Sequence, residues 1–249
     1  MIKGHFFKIL LTFLFLSQNL LAQGPIVVID PGHGGKDPGS VANRGISEKK
    51  LVLTFAKRLQ ETLRKKTGAK VFLTRNRDRY LPLEERNRVA NAKQCDLFIS
   101  LHANSAKNKK AEGVEIYYLN KATDAASRRL AERENRGSKR RQKDVDAIMS
   151  DLIQTAVTEE SAELAGILRK SLANGLRKEG VSEVRVKTAL FYVLVGAKCP
   201  SLLVEMGYLT NSKEAKRLKD PKFQTRVAEA LADGVQLYLT RQGQARSDL

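Results

Sequence analysis

The sequence predicts a mostly parallel, twisted α/β sheet with helices on both faces and an inserted helical segment. Three observations predict it. Short apolar or β-branched runs alternate with longer amphipathic stretches along most of the chain, the pattern of parallel strands joined by crossover helices. Three runs, starting at Ile26, Asp96 and Pro200, lead at their C-terminal ends to His33, His102 and Glu205. In an open α/β sheet those ends share one edge, and ligands bind there. Finally, 249 residues are enough for one good core, or for one domain with a sizeable insertion.

Taken in order, residues 1–22 read as an export signal. Lys3 and Lys8 precede the apolar stretch from Ile9 to Leu16, and Leu20-Leu21-Ala22 supplies a small residue for cleavage. A membrane anchor is the other reading, but Ser17-Gln18-Asn19 interrupts the stretch, which falls short of the roughly 20 apolar residues a span needs. No cysteine follows directly to carry a lipid, and no transmembrane segment is expected in the mature chain, residues 23–249.

Ile26 to Asp30 is the first strand, followed by a glycine-rich loop. Ser47 can cap a helix from Glu48 to about Lys66, with Leu51, Val52, Phe55, Leu59 and Leu63 on one face. Gly68 stops it, and Lys70 to Thr74 reads as a second strand. Pro82 opens a short helix to about Lys93. Asp96 to Leu101 and Gly113 to Leu119 are the third and fourth strands, and Leu202 to Glu205 is another. Lys222 to Leu239 forms a long amphipathic helix, with fraying expected from Arg241.

The stretch from Lys121 to Glu179 breaks this rhythm, because it carries no strand signal. A charged helix, Thr123 to Arg136, meets the basic break Gly137-Ser138-Lys139-Arg140-Arg141. A second helical stretch then places Val145, Ile148, Met149, Leu152, Ile153 and Ala156 at helical spacing. This insertion, about residues 121–180, is either a helical subdomain packed on the sheet or a partly mobile functional cover. It lies between two site-bearing strands, close enough to reach over the site.

The net charge is +18, and removing Lys3 and Lys8 with the signal takes away two and leaves +16. Such a surface favours a polyanion. Export argues against nucleic acid and leaves an anionic membrane or wall polymer, unless the charge is only a solvated coat. The two cysteines are too few for a disulfide framework or a cysteine-rich zinc module. Cys95 lies seven residues before His102 and Cys199 six before Glu205. On parallel strands both sulfurs fall at the edge opposite the site, as a pair in an oxidising compartment or as two buried thiols.

The loop Asp30-Pro31-Gly32-His33-Gly34-Gly35-Lys36-Asp37-Pro38-Gly39 surrounds His33 with residues that lack side chains, so the backbone can turn sharply. A phosphate cradle is disfavoured, since no Gly-x-Gly-x-x-Gly or Lys-Ser/Thr ending follows. Glu48 opens a helix, where a carboxylate is also favoured by the helix dipole alone. Together His33, Glu48 and His102 make a His-Glu-His zinc triad with one position left for water, the pattern of a catalytic site. Glu205 fits as general base and acid beside a single Zn2+. No His-Glu-x-x-His helix exists, so spacing alone supports this weakly.

These segments carry a resemblance. The loop from Asp30 to Gly39, Glu48-Lys49, Ser100-Leu101-His102-Ala103-Asn104-Ser105 and Leu203-Val204-Glu205-Met206-Gly207-Tyr208-Leu209-Thr210-Asn211 resemble the four signatures of the zinc-dependent N-acetylmuramoyl-L-alanine amidases, most closely the cell-separation amidases of Gram-negative bacteria. The resemblance runs from Ile26 to about Tyr238. It implies zinc on His33, Glu48 and His102 with Glu205 catalytic. The implied reaction is hydrolysis of the amide between the lactyl group of N-acetylmuramic acid and L-alanine of peptidoglycan, in the periplasm. Arg128-Arg129-Leu130-Ala131-Glu132-Arg133-Glu134-Asn135 and Asp151-Leu152-Ile153-Gln154-Thr155 resemble the regulatory segment of these enzymes, where one helix occludes the zinc cleft and another receives an activator with a LytM-type domain. Glu134 is then the candidate inhibitory ligand, and Val145 to Ile153 the candidate docking surface. Otherwise Glu134 is a surface charge and the stripe is plain core. Many members carry an extra N-terminal domain, whereas here the motifs start soon after the signal, so targeting would rest on the basic surface or a partner. A zinc peptidase acting within the stem peptide and a non-catalytic wall-binding protein are the alternatives.

Overall fold

The computed structural model describes residues 24–42, 46–138, 156–181 and 183–247. The export signal read at residues 1–22 and the docking surface read from Val145 to Ile153 lie outside the described residues.

Among the described residues, six strands form the main sheet. Across it they run β4 (Lys70–Leu73), β1 (Ile26–Pro31), β5 (Leu97–Asn104), β8 (Ser201–Tyr208), β6 (Val114–Leu119) and β7 (Val184–Ala189). The first four are mutually parallel, β6 is antiparallel to β8, and β7 is parallel to β6. The sheet is therefore mostly parallel, as expected, with its direction reversed at β6. A two-residue ribbon, β2 (Val41–Ala42) with β3 (Ile46–Ser47), precedes the first helix. Neither this ribbon nor β7 was anticipated. In β7, Val184, Val186 and Thr188 alternate with Arg185 and Lys187, and such charges on a strand protect a sheet edge.

The two sheet faces follow from the period-two alternation of side chains. Val27, Ile29, Leu97, Ile99, Leu202 and Val204 belong to one core cluster. It is covered by the long helices α1 (Glu48–Thr67), α4 (Ala156–Gly175) and α6 (Pro221–Ser247). Val28, Phe98, Tyr117 and Leu203 belong to a second cluster, with Ala90 of α2 (Leu83–Ala92), Leu130 and Ala131 of α3 (Ala125–Glu134), and Phe191 to Val195. A short helix, α5 (Ser212–Lys219), follows β8.

Helix α1 buries the stripe expected of it, Leu51, Val52, Phe55, Leu59 and Leu63. It ends on Gly68, whose φ of 67° supplies the left-handed cap. Ser47 makes no side-chain cap, and the amide of Glu48 instead donates to the Ser40 carbonyl at 2.9 Å. Within the 121–180 stretch, α4 is core: Leu164, Ala165, Leu168 and Leu172 are fully buried. Helix α6 continues to Ser247, past the fraying expected from Arg241. Once a helix is nucleated by packing, each further residue adds a hydrogen bond at little cost. Cys95 and Cys199 form a disulfide with Cα atoms 6.0 Å apart. They precede the starts of β5 and β8, at the sheet edge away from His102 and Glu205.

Candidate metal and catalytic centre

The C-terminal ends of β1, β5 and β8 bring His33, His102 and Glu205 to one place. His102 and Glu205 are paired in register on adjacent strands, and alternation turns both to the face covered by α2 and α3. The loop after β1 is built around missing side chains. A Cβ on Gly32 would overlap the His102 ring, and one on Gly39 would stand 2.6 Å from His33 Cδ2 and 2.7 Å from Glu48 Oε2. Either alanine would force the three groups apart. His33 adopts a left-handed φ of 58°, rare for a non-glycine residue. Its Nδ1 lies 2.9 Å from Asp37 Oδ2, which leaves Nε2 facing inward.

Glu48 is the first residue of α1, yet its side chain serves other segments. Oε2 accepts from the Ser40 amide at 2.8 Å and Oε1 from the Ala103 amide at 2.9 Å. The same Oε1 stands 3.1 Å from both His33 Nε2 and His102 Nδ1. Glu134, the last residue of α3, enters from above. Its Oε2 lies 3.3 Å from His33 Nε2 and 3.5 Å from His102 Nδ1, so Glu134 is not a plain surface charge. Helix α3 starts at Asp124, whose side chain accepts from the Ser127 amide. It is fastened at its other end by Arg133, which donates from Nε to Glu134 Oε1 at 2.9 Å and from Nη1 to the Ser105 carbonyl at 2.7 Å.

The electrostatics separate the carboxylates. Glu48 is held well below the usual range: burial opposes ionisation, but the two imidazoles and their hydrogen bonds outweigh it. Glu205 is pushed well above that range, first by burial and then by the negative charges of Glu48 and Glu134. Among the described residues, neither Glu205 oxygen has a hydrogen-bond partner. His33 is raised well above its ordinary value, because Glu48, Asp37 and Glu134 together overcome its burial. A buried carboxyl with a perturbed proton affinity beside a cluster of imidazoles is the mark of a functional site.

His33, His102 and Glu134 offer ligand atoms within 4.8 Å of one another. The donors are imidazole nitrogen and carboxylate oxygen, and buried His33 Nε2 faces Glu48 Oε1 at 3.1 Å and Glu134 Oε2 at 3.3 Å. This donor set fits a divalent cation of the zinc type. Beside the cluster, a cavity of about 690 Å³ opens under α3, lined in part by Asn104, Ser105, Glu115, Tyr117, Arg129 and Arg133. Sequence reasoning missed three participants: Asp37, Arg133 and Glu115. Glu115 is paired in register with Glu205 and is buried against Tyr117, Asn104 and Lys187. A carboxylate interrupting the apolar run from Val114 to Leu119 was its available signal.

Comparison with known proteins finds one family throughout. A family model described as N-acetylmuramoyl-L-alanine amidase matches residues 27–237. The N-acetylmuramoyl-L-alanine amidase AmiC of Neisseria meningitidis serogroup B is 34% identical over 223 residues, covering 86% of this chain and 53% of that protein. AmiA of Escherichia coli K12 is 35% identical over 224 residues, covering 86% of this chain and 75% of AmiA. The chain thus spans about half the length of the first of these relatives and three quarters of the second. A solved N-acetylmuramoyl-L-alanine amidase from Clostridium difficile 630 superposes with a TM-score of 0.69 at 30% identity, covering 88% of this chain and 98% of that one.

Proposed function

Because this chain belongs to the N-acetylmuramoyl-L-alanine amidase family, we propose that it hydrolyses the amide joining the lactyl group of N-acetylmuramic acid to L-alanine of the peptidoglycan stem peptide. In this reading one zinc ion is held by His33, Glu48 and His102, and Glu205 handles the proton. The observation that carries it is the convergence of His33 Nε2 and His102 Nδ1 on Glu48 Oε1, at 3.1 Å each, with the unpartnered carboxyl of Glu205 in register beside His102.

Zinc, when bound, supplies Lewis acidity toward the scissile carbonyl and makes its water easier to deprotonate. The remaining work belongs to the chain. Asp37 fixes the His33 ring through Nδ1, as carboxylates do for metal-binding imidazoles. The Ala103 and Ser40 amides hold the Glu48 carboxylate in place. Glu205 takes a proton from the attacking water as the oxygen–carbon bond forms. It returns the proton to the L-alanine nitrogen as the carbon–nitrogen bond breaks. A carboxyl with raised proton affinity suits both halves of this task.

Helix α3 is proposed as an inhibitory lid, with Glu134 in the position that water or substrate needs and Arg133 as its fastening. An activator with a LytM-type domain, docking on Val145 to Ile153, would draw it away. The protein is proposed to be exported by its signal, residues 1–22, to act in the periplasm during daughter-cell separation. Its basic surface would hold it to an anionic envelope.

The test is muropeptide analysis of sacculi digested with added zinc, using the protein with and without residues 121–138. Stem peptides freed from intact glycan strands are expected. Cleaved glycosidic bonds, or cuts within the stem peptide, would overturn the reading.

A further inference from the structure

We propose that Arg75 is a positioning residue that sets the spacing between His33 and Glu48 by clamping the backbone beside each. This rests on the reading that both residues hold the metal. Arg75 follows β4 and is 1% exposed. Nε donates to the Pro31 carbonyl at 2.9 Å, and Nη2 donates both to the Gly32 carbonyl at 2.6 Å and to the Lys49 carbonyl at 2.9 Å. One nitrogen thus joins the residue before His33 to the residue after Glu48. The two ligands are 15 positions apart in the chain, with the β2–β3 ribbon between them.

The surrounding contacts reinforce the clamp. Arg86 Nη1 donates to the Pro31 carbonyl at 2.9 Å, and Nη2 to the His33 carbonyl at 2.8 Å. The carbonyls of Pro31, Gly32 and His33 therefore all accept from buried guanidinium groups. Lys49 Nζ reaches the Gly35 carbonyl at 2.6 Å and Asp78 Oδ2 at 2.8 Å, while Asp78 Oδ1 accepts from the Gly35 amide at 2.7 Å. This second tie also links the loop to the start of α1. His33 sits in a left-handed conformation that a non-glycine residue rarely holds unaided. Among the described residues, the hydrogen bonds of Arg75 go to backbone carbonyls only, so its work is geometric. Lysine cannot replace it, because one ammonium does not reproduce the rigid fork that spans several acceptors.

Zinc titration of the metal-free protein, in competition with a chromophoric chelator, tests this. Groups that orient metal ligands typically contribute 10–100-fold in affinity. Arg75→Lys should lower zinc affinity by about that factor while retaining the far-ultraviolet circular dichroism of the wild type. Its amides at positions 32–37 should exchange faster with solvent. Folded Arg75→Lys binding zinc within twofold of wild type would overturn the proposal. Should Arg75→Lys not fold, Asp78→Ala decides, since Asp78 is partly exposed and its loss cuts only the second tie. A roughly threefold or greater loss of zinc affinity is expected there, and unchanged affinity overturns the clamp. His33→Ala separates the two levels. If it keeps wild-type affinity, the metal reading itself fails, whereas its loss alongside an unaffected Arg75→Lys sinks the positioning role alone.

Discussion

Replacing Glu205 by glutamine keeps the side-chain volume and removes the capacity to carry a proton, so it separates rate from stability. Glu205 is 1% exposed, neither of its oxygens is hydrogen-bonded among the described residues, and Glu48, Glu134 and Glu115 all disfavour its charge. Positioned acid–base groups contribute about 10²–10⁴ in rate, which is roughly 2.7–5.4 kcal/mol of barrier at about 1.36 kcal/mol per decade. The kcat of Glu205→Gln should fall by that factor with zinc content unchanged. Stability should move the other way. A carboxyl raised above its unfolded value of 4.5 binds its proton more tightly when folded, so stability is lost as pH rises from 4.5 toward the folded value. Glutamine does not titrate, and the metal-free variant should gain on wild type as pH goes from 4.5 to 8. Two assays read this: stem-peptide release from purified sacculi, with Glu134→Ala in both proteins to free the lid, and denaturant unfolding at the two pH values. A kcat within threefold of wild type, or a stability difference that does not change with pH, would refute the reasoning.

Three further predictions follow from the same geometry. Arg133→Ala removes charge-assisted hydrogen bonds worth about 1.5–3 kcal/mol each, so the open form of the lid should gain about ten- to hundredfold. Basal peptide release should rise in step, and in Glu134→Ala as well; unchanged rates in both would remove the lid from the account. Asp30 is buried against Arg86, Thr74 and Ser100; despite its burial, these partners hold its pKa below 3.8. Its contribution is complete above that value and is lost as pH falls through the folded one. Asp30→Ala leaves Arg86 buried without its partner, at a cost of about 3–5 kcal/mol, and its unfolding curve should approach that of wild type in acid. Replacing Cys95 and Cys199 by serine opens a 104-residue loop and should cost about 2–5 kcal/mol in denaturant unfolding. Because the bond lies at the far edge of the sheet, the rate of peptide release at 25 °C should stay the same.

His33, His102 and Glu205 were legible because each closes an apolar run, and strand direction alone brings such endings together. Glu48 was legible only in combination, since a carboxylate opening a helix has an ordinary explanation. The structure shows instead that its oxygens are held by Ser40 and Ala103, contacts that depend on how the ribbon and β5 meet. Asp37 was hidden among loop residues, and Arg133 among the many charges of the helix from Thr123 to Arg136. The valines of β7 alternate with basic residues, so no apolar run marked it as a strand. The direction of β6 was not readable either, since nothing in its residues encodes which way a neighbour runs. The cysteine spacing placed both sulfurs at one edge but could not decide whether they bond.

The reversal of β6 determines where its outgoing chain can travel. In a parallel crossover the chain leaves a strand at the ligand-bearing rim and is carried off to the opposite pole. Here it leaves at that pole, and α3, about 15 Å long at 1.5 Å per residue, climbs back toward the rim and terminates over the imidazoles. The winding order therefore brings the end of α3, with Glu134, to the imidazoles. In the inhibitory role proposed for this helix, its tip would swing out while its base, where Asp124 meets Lys187, stays where the strand delivered it.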